Sequence, residues 1–384
     1  MQAGHLPVRV RTAAVGALAL SVVVAGLAAA SPWAAAQGVS SAAPGAARPD
    51  PAGILKGGQI RGMFLNDRGN MPQARAGDLP RLKAIGINTI PLFIFLESPS
   101  THSNAVSKGA ETTPDDVLRS MIRLAHGMGM AVNLVPYVRI VAPGPHQWRG
   151  YLDPPNPHLW FARYRAILRG YEQLAEETNV ELFTLGTELH ALQQDAHRAD
   201  WKLVADEARQ RFHGLLTYQS SSGKQAAEQM TWWNWVDIIG VSAYYSLSPK
   251  PNPPLADLEN SWTHNYLPPL AALSKKFHRK VLFGEIGYSS NNYAAYKPAI
   301  SWQMSTSTVS LQAQANAYEA LLTTTERQSW YAGTMWFHWG PPRKVPNKTF
   351  EPRDKPAECV LAQHYVPNHP GVCALVQAGG RPNS

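Results

Sequence analysis

The chain has 384 residues, 45% of them hydrophobic and 16% charged. That composition supplies a large core and excludes a globally disordered chain. The formal net charge of +8 comes from scattered lysines and arginines. No basic run interleaves with aromatics, so the charge reads as a solvated basic surface suited to acidic envelope polymers, and nucleic acid is not an expected partner.

The N-terminus reads as an address. Arg9 and Arg11 precede an apolar run over 13–30, and Ala34-Ala35-Ala36 fits a small-residue cleavage site. This predicts a signal peptide over 1–36 with Gln37 as the new N-terminus. Its removal takes two arginines and no acid, leaving a net charge of +6. The alternative is a retained anchor, since the apolar run approaches the length of a short membrane span. Residues 37–55, rich in Ala, Pro, Gly and Ser, read as a flexible lead-in. No later segment is long and apolar enough to span a bilayer. The expectation is a monomer that works outside the cytoplasm, periplasmic or extracellular, with no membrane insertion after cleavage.

From residue 58 onward, short apolar runs alternate with helical patterns. Strands are expected at 59–65, 88–94, 131–138, 180–186, 215–219, 236–242, 280–285 and 332–338, with crossover helices between them. One helix opens at Thr113 with Pro114 at its first position, and Val117, Leu118, Met121, Ile122 and Ala125 fall on one face. Others are expected at 161–175, 201–212 and 312–325. Eight strand–helix alternations predict an α/β fold, a single-domain (β/α)8 TIM barrel over 56–342. The polar stretch 98–113 and the Pro-rich stretch 141–157 follow strands, so they fall on the functional face of such a barrel. Residues 343–384 read as a C-terminal tail wrapping the barrel. Cys359 and Cys373, 14 residues apart in that tail, predict a disulfide staple in an oxidising compartment. Two cysteines with His364 and His369 make a poor metal site, and no metal is expected.

Two glutamates close strand patterns: Glu188 ends 180–188 and Glu285 ends 280–285. A short apolar strand that delivers a carboxylate into a loop is how a barrel presents a catalytic group at the C-terminal end of its strands. Two such carboxylates are what glycosidic cleavage needs, one as proton donor and one as nucleophile or base. Strand alternation points Phe183 and Leu185 toward the helices, and Gly186 and Glu188 toward the axis. It likewise turns Ile239 and Val241 outward, with Gly240, Ser242 and Tyr244 inward. Thr334, Trp336 and His338 share one face of the last strand. A tyrosine hydroxyl can orient an ionised carboxylate, and a tryptophan face can stack on a pyranose. Trp148, Trp336 and Trp339 lie in post-strand loops or at strand ends and are candidates for that stacking. Trp232, Trp233 and Trp235 read better as core. His190, two residues past Glu188, reads as a loop histidine.

Other chemistries lack their signatures. The end of the first strand, Met63-Phe64-Leu65-Asn66-Asp67, has no H-x-H pair, and no G-x-S-x-G elbow, P-loop or dinucleotide fingerprint occurs. No cofactor is expected.

The Gly186-Thr187-Glu188-Leu189 and Gly284-Glu285-Ile286-Gly287-Tyr288 turns resemble those of family-113 glycoside hydrolases. So do the segment from Asp237 to Tyr245 and Trp148-Arg149-Gly150. The resemblance covers roughly 56–342. It implies an endo-β-mannanase-like glycosidase of the clan that retains anomeric configuration, acting on a polysaccharide, most of all β-1,4-mannan. Glu188 would be the acid/base, Glu285 the nucleophile, and Tyr244 or Tyr245 the tyrosine beside it. Trp336 would be the platform under the sugar. Thr187 departs from the Asn that most of the clan carries, and Pro136 and Tyr137 stand where many members have a histidine. These departures touch sugar recognition, and Tyr137 joins the substrate-binding candidates. A retaining glycosidase for an envelope glycan and a barrel that binds glycan without cleaving it remain the alternatives.

Overall fold

The structure, a computed structural model, describes residues 58–65, 76–142, 144, 147–223, 226–367 and 373. The expected signal peptide and lead-in, and the loop after the first strand at 66–75, lie outside the described residues.

Eight parallel strands form the barrel: β1 (Ile60–Met63), β2 (Thr89–Ser98), β3 (Ala131–Ile140), β4 (Leu182–Thr187), β5 (Leu215–Ser220), β6 (Ile238–Ser242), β7 (Val281–Ile286) and β8 (Tyr331–Trp336). Each pairs with its sequence neighbour, and β1 closes the ring by pairing with β8 from Ile60↔Gly333 to Met63↔Trp336. A two-residue strand, Ser107–Lys108, adds antiparallel to the end of β2.

Two apolar layers follow from this closure. Ile60, Phe64, Phe93, Phe95, Val135, Leu182, Ile238, Leu282, Ala332 and Met335 fill the barrel interior. Their strand neighbours Leu92, Leu134, Phe183, Leu216, Ile239 and Phe283 belong to the larger layer packed under the helices. Period-2 alternation therefore sorts most strand residues between the two layers. Inside the barrel Thr184 Oγ1 donates to Asn133 Oδ1 at 3.1 Å.

The surrounding helices are α1 (Leu79–Ala84), α2 (Asp115–Gly127), α3 (Pro157–Glu177), α4 (Arg198–Arg211), α5 (Leu255–Ser261), α6 (Leu267–Phe277), α7 (Leu311–Thr325) and α8 (Pro356–Tyr365). Asn156 caps α3 and Ser310 caps α7, each accepting a backbone N–H from three residues on. Helix α2 starts one residue later than the Thr113 cap implies, with Pro114 itself at the cap. Its apolar face buries Leu118, Met121, Ile122 and Ala125.

The expectation of a helix in every crossover fails between β5 and β6. Only a 3-10 turn, Trp233–Trp235, is present among the described residues there. Trp232 stacks on Trp201 of α4 at 5.1 Å and meets Tyr218 of β5 at 4.9 Å. The buried indoles of Trp232 and Trp233 cover the strand surface that a helix covers elsewhere. Their N–H groups donate to the Gln193 and Ala227 carbonyls, which allows full burial.

The stretch after 342 contributes a structural helix. Helix α8 packs against α7, and Glu358 on α8 receives both Nε and Nη2 of Arg81 on α1. Cys359 on α8 is bonded to Cys373, with Cα atoms 4.9 Å apart. Among the described residues, no helix is long and apolar enough to cross a membrane.

Candidate active site

Each glutamate follows an irregularity in its own strand. Between β4 and β5 the register jumps from Thr184↔Thr217 to Thr187↔Gln219, so β4 carries one extra residue. Between β6 and β7 it jumps from Val241↔Phe283 to Ser242↔Glu285, so β7 carries one too. Such bulges break the simple alternation and re-aim the side chains beyond them.

The β4 bulge corrects the expected phase of Gly186. A Cβ there would lie 2.9 Å from the Trp201 ring and 3.1 Å from the Tyr218 ring, so Gly186 faces the helix layer, not the axis. Thr187, the register partner of Gln219, takes the inward place. Glu188 then adopts φ +52°, a left-handed conformation that is uncommon for a residue with a side chain. Its backbone N–H donates to the Gln219 carbonyl at 2.8 Å, and the next N–H, of Leu189, donates to the Tyr218 hydroxyl at 3.2 Å. These bonds hold a backbone that costs on the order of 1–3 kcal/mol to place there.

Glu188 and Glu285 are both buried, at 7% and 6% exposure. Arg149, in the 3-10 turn Arg149–Tyr151 after β3, donates from Nη2 to Glu188 Oε2. The Arg149 guanidinium carbon also sits 3.7 Å from the centroid of the Tyr137 ring. Glu285 accepts from the Tyr244 hydroxyl at 2.9 Å and from Gln219 Nε2 at 3.4 Å. Gln219 Nε2 also donates to Ser242 Oγ at 2.9 Å. Burial, and after it the charge of Glu188, push the Glu285 carboxyl up to about 7. Arg149, Tyr244 and Gln219 act in the other direction by favouring its ionised form. Burial also raises the Tyr137 and Tyr244 phenols, so both remain neutral donors near neutral pH.

A family model described as Glycoside Hydrolase Family 113 matches residues 63–354. The chain belongs to glycoside hydrolase family 113. Its fold is similar to a solved family-113 β-1,4-mannanase complex, at TM-score 0.69 and 24% identity over 80% of this chain and 99% of the other. It is also similar to the family-113 β-mannanase AaManA from Alicyclobacillus acidocaldarius in complex with ManMIm, at TM-score 0.70 and 25% identity over 80% and 97%. A β-D-glucuronidase of Dictyoglomus thermophilum shares the fold at TM-score 0.55 and 14% identity, over 80% of this chain and 50% of the other. No curated protein matches the sequence.

This glycoside hydrolase therefore brings together Glu188, Glu285, Tyr137 and Tyr244 from the residues singled out in the sequence. Trp148 is half-buried, edge-to-face with Tyr151 at 5.3 Å, its ring over Gly150. Three other expected sugar contacts lie elsewhere. Trp336 is fully buried in the outer layer, stacked on Tyr318 of α7 at 4.1 Å, and its Nε1 donates to the Tyr365 hydroxyl on α8. Another register shift, from Val281↔Tyr331 to Leu282↔Gly333, changes the phase of β8 and turns Trp336 away from the axis. Trp339 is buried with the guanidinium carbons of Arg81 and Arg353 each 5.4 Å from its ring centroid, under α1 and the tail. Tyr245 stacks on Tyr266 at 4.5 Å and meets Trp262 edge-on, in the helix layer.

Three contributors, Arg149, Gln219 and Phe337, escaped the sequence reading of the site. Arg149 was visible only as the middle of a Trp-Arg-Gly motif. Gln219 carries a signal in hindsight, because polar Thr217 and Gln219 alternate with apolar Leu216 and Tyr218 on β5, whereas Ser242, already phased inward in the sequence, is its partner at 2.9 Å. Phe337 follows β8, is half-buried, and packs against the barrel-interior layer near Phe64, Phe93 and Phe350. It faces the interior layer, whereas Trp336 does not. His190 pairs with Ser221 Oγ at 3.0 Å.

Proposed function

We propose that this glycoside hydrolase cleaves β-1,4-mannan outside the cytoplasm by double displacement with retention of anomeric configuration. The observation that carries the proposal is the buried pair itself: Glu188 just past β4 and Glu285 near the end of β7, one gripped by Arg149 and the other held by Tyr244. The mannan assignment is supported by the family-113 β-mannanases that share the fold. The predicted signal segment and the Cys359–Cys373 disulfide support export.

Glu188, protonated, gives its proton to the glycosidic oxygen as the bond to the anomeric carbon breaks. A Glu285 oxygen forms a new bond to that carbon, making a glycosyl ester. Glu188, now a carboxylate, takes a proton from water as the water oxygen attacks the same carbon and Glu285 leaves. Tyr244 orients Glu285 and favours the carboxylate that attacks. Gln219, bonded to both Ser242 and Glu285, fixes the second oxygen. Phe337 and Tyr137 supply the aromatic surface beside the reacting sugar.

The test is reducing-sugar release from β-mannan, glucomannan, xylan, cellulose and galactan, with Glu285→Gln alongside and the first anomer followed by proton NMR. Mannan cleavage that yields the β-anomer first, and is lost in the variant, is expected. Release of the α-anomer first would overturn retention. Cleavage of another glycan alone would overturn the mannan assignment.

A further inference from the structure

We propose that Arg149 is a positioning residue for this site: stacked on Tyr137, it aims the Glu188 carboxylate and supplies the buried positive charge that lets two glutamates share one water-poor pocket. Its part in turnover rests on the hydrolytic function proposed above, whereas its electrostatic part does not.

Two observations carry this beyond a simple ion pair. First, Arg149 is itself buried, at 7% exposure, and its guanidinium is fixed from two directions. Tyr137 meets its face at 3.7 Å and Glu188 takes Nη2 in the plane. A planar cation stacked on a ring and bonded at its edge has little freedom to swing, so it defines where the Glu188 oxygens point. Second, the two loops involved are joined through the backbone. The Ala191 N–H donates to the Gly150 carbonyl at 3.0 Å, tying the turn that bears Arg149 to the loop that follows Glu188. The Trp148 ring lies directly over Gly150, where a Cβ would come within 1.9 Å of it, so a larger residue at 150 would displace that ring. Trp148 thus acts here as the lid on the Arg149 turn.

The charge balance points the same way. The groups that face Glu285 are Glu188 after β4, Arg149 after β3, Tyr137 on β3, Gln219 on β5 and Tyr244 after β6. Glu188 opposes ionisation of Glu285, and Arg149 is the group of opposite charge among them. Without it, two carboxylates face each other in a buried site, and one of them must hold a proton to a higher pH. Arg149 Nε makes no hydrogen bond within the described structure, which leaves a buried donor for an oxygen of the glycan.

The test compares Arg149→Met and Arg149→Lys with the parent chain in two measurements. In the first, without substrate, glutamate side-chain carboxyls are labelled with carbon-13 and titrated by NMR, with Glu285 assigned by its loss in Glu285→Gln. The Glu285 midpoint should rise by about one pH unit or more in Arg149→Met and by less in Arg149→Lys. In the second, kcat/KM is followed against pH on manno-oligosaccharides and on a dinitrophenyl manno-oligoside, whose leaving group needs no proton. The acid limb should move upward by the same amount, and the oligosaccharide should lose about tenfold more than the aryl substrate because only it depends on the aim of Glu188. An unmoved NMR midpoint, or equal losses on both substrates, would overturn the proposal. If the parent chain cleaves neither substrate, the functional proposal fails and the NMR arm still decides the role of Arg149. If Arg149→Met does not fold, the smaller shift in Arg149→Lys carries the same comparison.

Discussion

Tyr244 donates its phenolic hydrogen to Glu285 Oε1 over 2.9 Å, reaching across from the residue two past the end of β6. A hydrogen bond to a charged acceptor contributes about 1.5–3 kcal/mol. It stabilises the ionised form of Glu285, the form that attacks in the proposed mechanism. In Tyr244→Phe, kcat/KM should fall roughly tenfold to a hundredfold. The acid limb of its pH profile should also move to higher pH, since the bond lowers the Glu285 midpoint. A variant with reduced activity but an unmoved acid limb would show that the hydroxyl contacts sugar instead.

Glu285 is kept at a cost to the fold. Burial and Glu188 raise its carboxyl from 4.5 to about 7. A carboxyl raised by folding contributes stability that is complete below the unfolded midpoint and lost as pH rises through the folded one. The loss therefore falls between about pH 4.5 and 7. At pH 8 the difference amounts to something on the order of 3 kcal/mol. Glu285→Gln, which cannot ionise, should melt higher than the parent chain at pH 8 and show little gain at pH 4, while activity falls by about a thousandfold or more. Calorimetry at the two pH values checks this. Equal gains at both would place the effect outside Glu285 ionisation.

Much of the barrel was legible in the sequence because buried parallel strands and amphipathic helices carry strong periodic signals. The eight strand positions follow from apolar runs, and the two glutamates stand out because each interrupts one. What stayed hidden depends on single-residue irregularities. Bulges on β4, β7 and β8 leave no mark in a pattern of apolar and polar residues, yet they decide that Gly186 and Trp336 face the helices. The β5–β6 crossover had length enough for a helix, and only tertiary packing shows that Trp232 and Trp233 cover the strands there. Arg149 lies far in sequence from Glu188, and nothing local announces their pairing.

The burial of Trp336 in the helix-side layer and the packing of Phe337 on the interior layer give a paired test. Trp336→Ala should cost about 3–5 kcal/mol of stability, because it empties a fully buried site and strands the Tyr365 hydroxyl. Protein that folds should keep its KM. Phe337→Ala should lower kcat/KM by about tenfold, with a smaller change in melting temperature, because its ring is half-buried against the barrel interior and, in the proposed function, supplies surface to the sugar. The reverse pattern, with Trp336→Ala stable but impaired on substrate, would return the platform to Trp336.

Helix α8 is secured by a titratable clamp as well as by its disulfide. His364 on α8 bonds Glu326 at 2.9 Å and Glu319 of α7 at 3.2 Å. The two carboxylates outweigh burial and raise its imidazole to about 9 from 6.5. A histidine raised by folding contributes stability that is fully present below its unfolded midpoint and disappears as pH rises through the folded one. The clamp should thus hold at pH 6 and fade between about pH 6.5 and 9. Its strength is at most about 3 kcal/mol, less whatever solvent screening removes. His364→Gln should lower the melting temperature by several degrees at pH 6, and the deficit should close by pH 10. Because α8 lies against α7 and is tied to α1 through Arg81, hydrogen-exchange protection factors in those helices, corrected for the intrinsic rate, should fall as pH rises in the parent chain. In His364→Gln protection should already be low at pH 6. A deficit that persists unchanged at pH 10 would mean that the histidine acts through packing and not through its charge.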